Sequence, residues 1–143
     1  MKHSALLFNK VKDKKVQCSL CPHRCIVSEG RCGICRVRKN IEGELYSLNY
    51  ADAIAASVDP IEKKPLYHFL PGSSTYSIAA SGCNFRCPFC QNWQISQLDG
   101  DYDTGAVSGK LMPEEIVDNA LKSGAKTIAY TYTEPTIFFE YAL

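Results

Sequence analysis

Three cysteines on one short loop, Cys83, Cys87 and Cys90, constrain this chain more than any other feature. They stand in Gly82-Cys-Asn-Phe-Arg-Cys-Pro-Phe-Cys90, a C-x3-C-x2-C spacing, directly after the stretch Thr75–Ser81, which reads as a buried strand. Iron–sulfur clusters are held by cysteine thiolates, four for a four-iron cubane. Three thiolates from one loop can wrap three corners, and the iron at the fourth then has no ligand from the motif. Such an iron is a coordination site for a small molecule, by the logic that keeps a catalytic zinc site open. Gly82 allows a sharp turn at the strand end, and Pro88 restricts the loop between two ligands. Two further readings stand beside this one. A structural zinc site would want a fourth protein ligand, and none lies nearby in sequence. A buried set of three unligated thiols is the plainest alternative.

Eight cysteines in 143 residues is dense, so compartment matters. The N-terminus, MKHSALLFNKVKDKK, is too polar for a secretory leader, and no run approaches the roughly 20 apolar residues of a membrane span. A soluble cytoplasmic protein is expected, with no membrane partner. In reducing cytosol, clustered thiols serve as metal ligands more often than as disulfides. A secreted disulfide scaffold is the competing case and lacks an export signal. Sixteen basic against fifteen acidic residues leave a net charge of +1, which argues against a nucleic-acid partner.

The chain divides into a Cys-rich N-terminal region with connector, residues 1–72, and the start of a core domain, residues 73–143. Strands are predicted at Glu44–Tyr50 and Ala53–Val58, followed by a loop-rich connector punctuated by Pro60, Pro65 and Pro71. After the Cys loop, a polar segment runs to about Gly109. Pro113–Lys122 is the clearest helix: proline opens it, acids sit at its positive end, and Gly124 follows it. Ile116, Val117, Ala120 and Leu121 share one face at helical spacing. A second strand, Lys126–Tyr132, and an apolar helix from Pro135 to Leu143 complete a β-α-β-α order. That order predicts an α/β fold with a parallel sheet and crossover helices. Two such units are present where an eight-unit barrel takes roughly 250 residues, so the chain reads as the N-terminal portion of a longer core.

In the N-terminal region, Cys18-x2-Cys21 and Cys32-x2-Cys35 form two knuckles, with Cys25 and His23 as spare candidates. A zinc ribbon or a second iron–sulfur cluster could use these thiols, and the four ligands stay open. A structural metal is expected because the segment has little apolar material for a core of its own. Elsewhere Trp93 reads as packing, and Tyr130, Tyr132, Phe138 and Phe139 as core. Lys63 and Lys64 beside Glu62 read as a solvated loop, and His3 and His68 have no assigned partner.

The C-x3-C-x2-C loop after the first strand resembles the signature of the radical S-adenosylmethionine (AdoMet) superfamily. A narrower likeness rests on Cys18-Ser-Leu-Cys-Pro-His-Arg-Cys25, Gly33-Ile-Cys-Arg-Val-Arg38, Ile61-Glu-Lys-Lys-Pro-Leu-Tyr-His68, Cys83 through Trp93, and Tyr130-Thr-Tyr-Thr-Glu-Pro-Thr136. From Val16 onward the chain is similar to the AmmeMemoRadiSam-system radical AdoMet enzymes, a subgroup related to pyruvate formate-lyase activating enzymes. The resemblance implies a partial (β/α) radical-SAM barrel, its first two βα units preceded by the small Cys-rich region. It implies a 4Fe-4S cluster on Cys83, Cys87 and Cys90, with AdoMet bound at the open iron. Electron transfer through the cluster then cleaves AdoMet to a 5′-deoxyadenosyl radical that abstracts hydrogen, which makes the protein an oxidoreductase-type enzyme. An electron donor such as flavodoxin or ferredoxin is implied as partner. Phe89 matches the bulky residue that lies near the adenine. Glu134 matches the segment contacting the AdoMet amino group, although the glycines usual there are replaced in Thr131-Tyr-Thr-Glu-Pro135; a helix-capping role is its alternative. The substrate, a protein glycine as for a glycyl-radical activase or a small molecule, stays open. The competing class is a non-catalytic zinc-binding module. The barrel start alone is expected to be inactive.

Overall fold

A computed structural model describes residues 2–100, 102 and 110–143. Most of the polar segment expected up to Gly109 lies outside the described residues. Nine strands form three three-stranded sheets among the described residues. In the first, β1 (His3–Ser4), β6 (Glu44–Ser47) and β5 (Arg38–Ile41) run antiparallel in the order β1-β6-β5. In the second, β2 (Phe8–Lys10), β3 (Val16–Cys18) and β4 (Ile26–Val27) are likewise antiparallel. The β5–β6 hairpin turns through Glu42 and Gly43, both at positive φ (54° and 82°), the backbone that a tight two-residue hairpin requires.

The N-terminal region has a core of its own, contrary to the sequence expectation. Ala5, Val16, Cys18, Val27 and Leu45 are buried together, each contributed by a short strand or its flank. The misreading has a physical cause. These apolar residues are single positions in strands of two to four residues, too short for alternation to register as a pattern. At Val16 and Cys18 alternation is nevertheless visible, since Gln17 between them is less buried.

The third sheet joins the two halves. β7 (Ala53–Pro60) pairs antiparallel with β8 (Ser74–Ala80), and β8 pairs parallel with β9 (Thr127–Tyr130), in the order β7-β8-β9. Between β8 and β9 the chain passes through α1 (Trp93–Ser96) and α2 (Pro113–Lys122), which supplies the expected parallel β-α-β step. The antiparallel partner β7, at the predicted Ala53 start, makes the sheet mixed.

The α2 helix has the predicted bounds. Pro113 occupies its first turn, and Glu115 turns back to accept the Met112 backbone N–H at 2.7 Å. Its buried face is narrower than predicted: Ile116 and Ala120 are buried, whereas Val117 and Leu121 are 49% and 71% exposed. The expected C-terminal helix is a 3-10 turn, Pro135–Phe138, leading into a short α3, Phe139–Ala142. Ile137, Phe138 and Tyr141 from this segment meet Ile78, Ala80 and Ile116 in the main core. Each fully buried side chain of this size contributes roughly 1.5–3 kcal/mol. Phe138 is core as expected, while Tyr130 is 40% exposed and Trp93, read as packing, is 59% exposed.

The halves are pinned by one buried ion pair. The Arg38 guanidinium donates to both carboxylate oxygens of Glu140, at 2.8 and 2.9 Å, and the Leu6 backbone N–H donates to Oε1 at 2.9 Å. Burial disfavours the Glu140 carboxylate, but the two hydrogen bonds and the charge of Arg38 outweigh it and hold the pKa below its ordinary value. Among the described residues no helix is long and apolar enough to cross a membrane.

Candidate metal centre

The Cys loop leaves the carboxyl end of β8, where an α/β sheet commonly places its chemistry. Gly82 makes that exit possible. Its φ is +90°, and a Cβ there would sit 2.7 Å from both the Cys35 carbonyl oxygen and Val37 Cγ1. The first loop residue is therefore pressed against the N-terminal knuckle, and only a residue without a side chain fits. The Gly82 N–H donates to the Ile95 carbonyl at 2.8 Å, so α1 folds back and closes the loop at its root.

Side chains from both halves brace the loop. His23 Nε2 lies 2.8 Å from the Asn84 carbonyl, which makes that nitrogen the protonated donor. Arg86 donates to Gln97 Oε1 at 2.6 Å and to the Ile34 carbonyl at 2.7 Å, while Gln97 Nε2 donates to the Phe85 carbonyl at 3.1 Å. Asn49 Nδ2 donates to the Ser81 carbonyl at 2.9 Å. The N-terminal region thus acts as a backing wall for the loop. Sequence reasoning gave His23 only as a spare metal ligand and gave Arg86 no role. The position of Arg86 inside the Cys loop was the available signal, but its partner Ile34 is remote in sequence.

The three thiols differ in exposure. Cys83 is buried, Cys90 half-buried and Cys87 exposed, and none forms a disulfide. Cys83 Sγ accepts the Phe85 backbone N–H at 3.4 Å, and Cys90 Sγ lies 3.3 Å from Ser96 Oγ. Cys87 and Cys90 are linked by a turn in which the Cys90 N–H meets the Cys87 carbonyl at 3.2 Å, with Pro88 inside it. Phe89 stands 82% exposed beside this turn.

Among the described residues, no group of three or more His, Cys, Asp or Glu side chains is gathered tightly enough to hold a metal ion. A single tetrahedral ion with metal–sulfur bonds of about 2.3 Å needs sulfurs about 3.8 Å apart. In a cubane each thiolate binds a different iron, so the ligands stand wider apart. Three loop thiols, with N–H or O–H neighbours at two of them, are a donor set of the kind that metal ions and iron–sulfur clusters use.

The N-terminal cysteines are distributed differently. Cys18 and Cys35 are buried; Cys21, Cys25 and Cys32 are half-buried. Cys25 Sγ lies 3.6 Å from the point where a Gly33 Cβ would stand. Burial pushes the Cys35 thiol up to about 11, against the opposing pull of backbone N–H groups of Val37 and Arg38 and the Arg38 charge.

Glu134 takes the capping role. Its carboxylate accepts the Thr136 hydroxyl at 2.6 Å and the Thr136 N–H at 3.5 Å at the start of the 3-10 turn. His3, left without a partner by the sequence, stacks on Tyr50 with ring centroids 4.0 Å apart. Lys63 and Lys64, expected in solvent, both bond Asp59 at 2.8 and 2.9 Å. Tyr132, expected as core, donates its hydroxyl to the same carboxylate at 3.0 Å.

Over 137 residues, 96% of this chain, the sequence is 46% identical to an uncharacterized protein of Methanocaldococcus jannaschii, of which it covers 40%. A second uncharacterized protein of that organism is 31% identical over 114 residues, 79% of this chain and 26% of the relative. The chain therefore spans less than half the length of these curated relatives. No family model and no solved structure matches it.

Proposed function

We propose that this chain carries the cluster loop of a cytoplasmic radical AdoMet enzyme, with Cys83, Cys87 and Cys90 as ligands of a 4Fe-4S cluster. The observation that carries the reading is the placement of three disulfide-free thiols on one braced loop at the carboxyl end of a strand in a parallel β-α-β unit. When bound, the cluster supplies one electron for reductive cleavage of AdoMet at its open iron. The chain's own groups do the positioning. The Phe85 N–H stabilises a Cys83 thiolate, and the Ser96 hydroxyl does the same for Cys90. His23 and Arg86 fix the loop backbone. Phe89, exposed beside the turn, offers an apolar face to an adenine, and Glu134 offers a carboxylate to the AdoMet amino group beyond its capping bond. A flavodoxin or ferredoxin is the fitting electron donor, and a glycyl-radical protein is one substrate class among others.

The test is anaerobic reconstitution of the whole protein with iron and sulfide, followed by reductant and AdoMet. Broad visible absorbance and release of 5′-deoxyadenosine are expected, and Cys87→Ala should lose both. A Cys87→Ala protein that kept a full cluster and normal AdoMet cleavage would refute the ligand assignment.

A second reading concerns the N-terminus, where Cys18, Cys21, Cys25, Cys32 and Cys35 are all free of disulfides. Zinc or a second cluster on these thiols is proposed as structural. Zinc as the sole metal, with no AdoMet turnover, would turn the whole assignment toward a non-catalytic zinc module.

A further inference from the structure

Beside the middle of β8, at Ser77, a polar node is built around one carboxylate. Asp59, on β7, is 6% exposed. Its Oδ1 accepts Lys63 Nζ at 2.8 Å; its Oδ2 accepts Lys64 Nζ at 2.9 Å, Ser77 Oγ at 2.7 Å and Tyr132 OH at 3.0 Å. Ser57 Oγ adds a longer contact to Oδ2 at 3.4 Å, so five donors crowd a group that offers about four acceptor sites. Each ammonium has three N–H donors and spends one on this carboxylate. Two positive charges against one negative leave the node cationic.

Both lysines line a cleft of about 610 Å³ that runs along β9. Thr127 and Thr131 line it too, and no acidic residue is among its walls. The Thr127 hydroxyl is buried and has no hydrogen-bond partner. The nearest other carboxylate in the loop, Glu62, is occupied by the Gly72 backbone N–H at 2.7 Å. The remaining wall is apolar, with Leu66, Phe69 and Ile128. Lys64 is further fixed by the Tyr132 ring, whose centroid lies 4.9 Å from Nζ. A loop lysine ordinarily floats in water; here the Lys64 side chain is only 11% exposed.

We propose that this cleft is a binding site for an organic oxyanion, a carboxylate or phosphate carried on an apolar body. Lys63 and Lys64 receive the anionic head, the Thr127 hydroxyl donates to it, and Leu66 and Phe69 cover the body. Asp59 is the positioning group: it aims the two lysines without meeting the ligand. Apolar walls strengthen the attraction by excluding water from the charges. The site is independent of the iron–sulfur reading, since none of its residues belongs to the Cys loop.

The experiment is an NMR titration of the isotope-labelled protein at low ionic strength with phenyl phosphate and, separately, benzoate. Saturable shifts are expected at Lys63, Lys64, Thr127 and Thr131, and the tighter probe identifies the head group. Lys64→Met should weaken binding about tenfold or more, the loss of one charge-assisted hydrogen bond. Lys63→Met, at a side chain 56% exposed and free of packing demands, should give a similar loss with an unchanged spectrum elsewhere. Lys122→Met, on the α2 surface, should change nothing. Absence of saturable shifts with both probes, or Lys63→Met binding as tightly as the parent, overturns the proposal.

Discussion

Replacing Glu140 by alanine tests how the two halves of the chain are held. The side chains of Arg38 and Glu140 are 2% and 1% exposed, so truncation leaves a guanidinium buried without its counter-charge. The Leu6 N–H loses its acceptor as well. Removing one member of a buried pair costs about 3–5 kcal/mol, a large share of the ~5–15 kcal/mol that stabilises a typical domain. With a urea m-value of about 2 kcal/mol/M, the midpoint should fall by about 2 M. Replacing both residues, as Arg38→Met with Glu140→Leu, removes charge and counter-charge together and should recover most of the loss. Urea unfolding followed by far-UV circular dichroism of the parent, Arg38→Met, Glu140→Leu and the double variant closes the cycle. The pH dependence has a definite sign. Because the Glu140 pKa is depressed in the folded state, its contribution is complete above the ordinary glutamate range and vanishes as pH falls through the folded value. A Glu140→Ala loss below about 1 kcal/mol, or single losses that add exactly in the double variant, would refute the reasoning.

Three further outcomes follow from the structure. Gly82→Ala combines a positive φ with contacts at 2.7 Å to Cys35 and Val37, so a loss of about 2–5 kcal/mol is expected in thermal unfolding, and an unchanged Tm would show that the wall yields. Asp59→Asn should destabilise the protein by about 2 kcal/mol at neutral pH; since Lys63, Lys64 and Ser77 hold the carboxyl well below the usual range, the gap between parent and variant should close only in strong acid. A gap that persisted unchanged there would assign the effect to shape rather than charge. In alkylation at pH 8 read by mass spectrometry, exposed Cys87 should react first and Cys35 last, because a thiol raised to about 11 carries little thiolate. Equal rates would contradict the burial of Cys35.

The parts of this fold that the sequence revealed are those written in local chemistry. The α2 bounds came from Pro113, two glutamates and Gly124, all within one stretch. The loop after β8 came from the cysteine spacing and Gly82. What stayed hidden depends on partners distant in the chain. Val117 and Leu121 follow the helical period, yet which half of an apolar stripe is covered is decided by neighbours. Lys63 faces solvent as expected, 56% exposed, whereas Lys64 is held by Asp59 and the Tyr132 ring, which reach it from β7 and from beyond β9. The bond from His23 to the Asn84 carbonyl was hidden too, because no residue code announces a backbone acceptor.

The close fit of Gly82 against Cys35 and Val37 also sets an order of assembly. On the ribosome the N-terminal wall emerges before the loop that must lean on it, so the strand ending at Cys18 and the turn bearing Cys35 can close first. For the proposed cluster, metal delivered before that closure would meet competing thiols on a loose chain, and metal delivered afterwards a loop whose path is already chosen. A protein of this build would gain from late loading, and maturation in the cell becomes a matter of timing as much as of affinity.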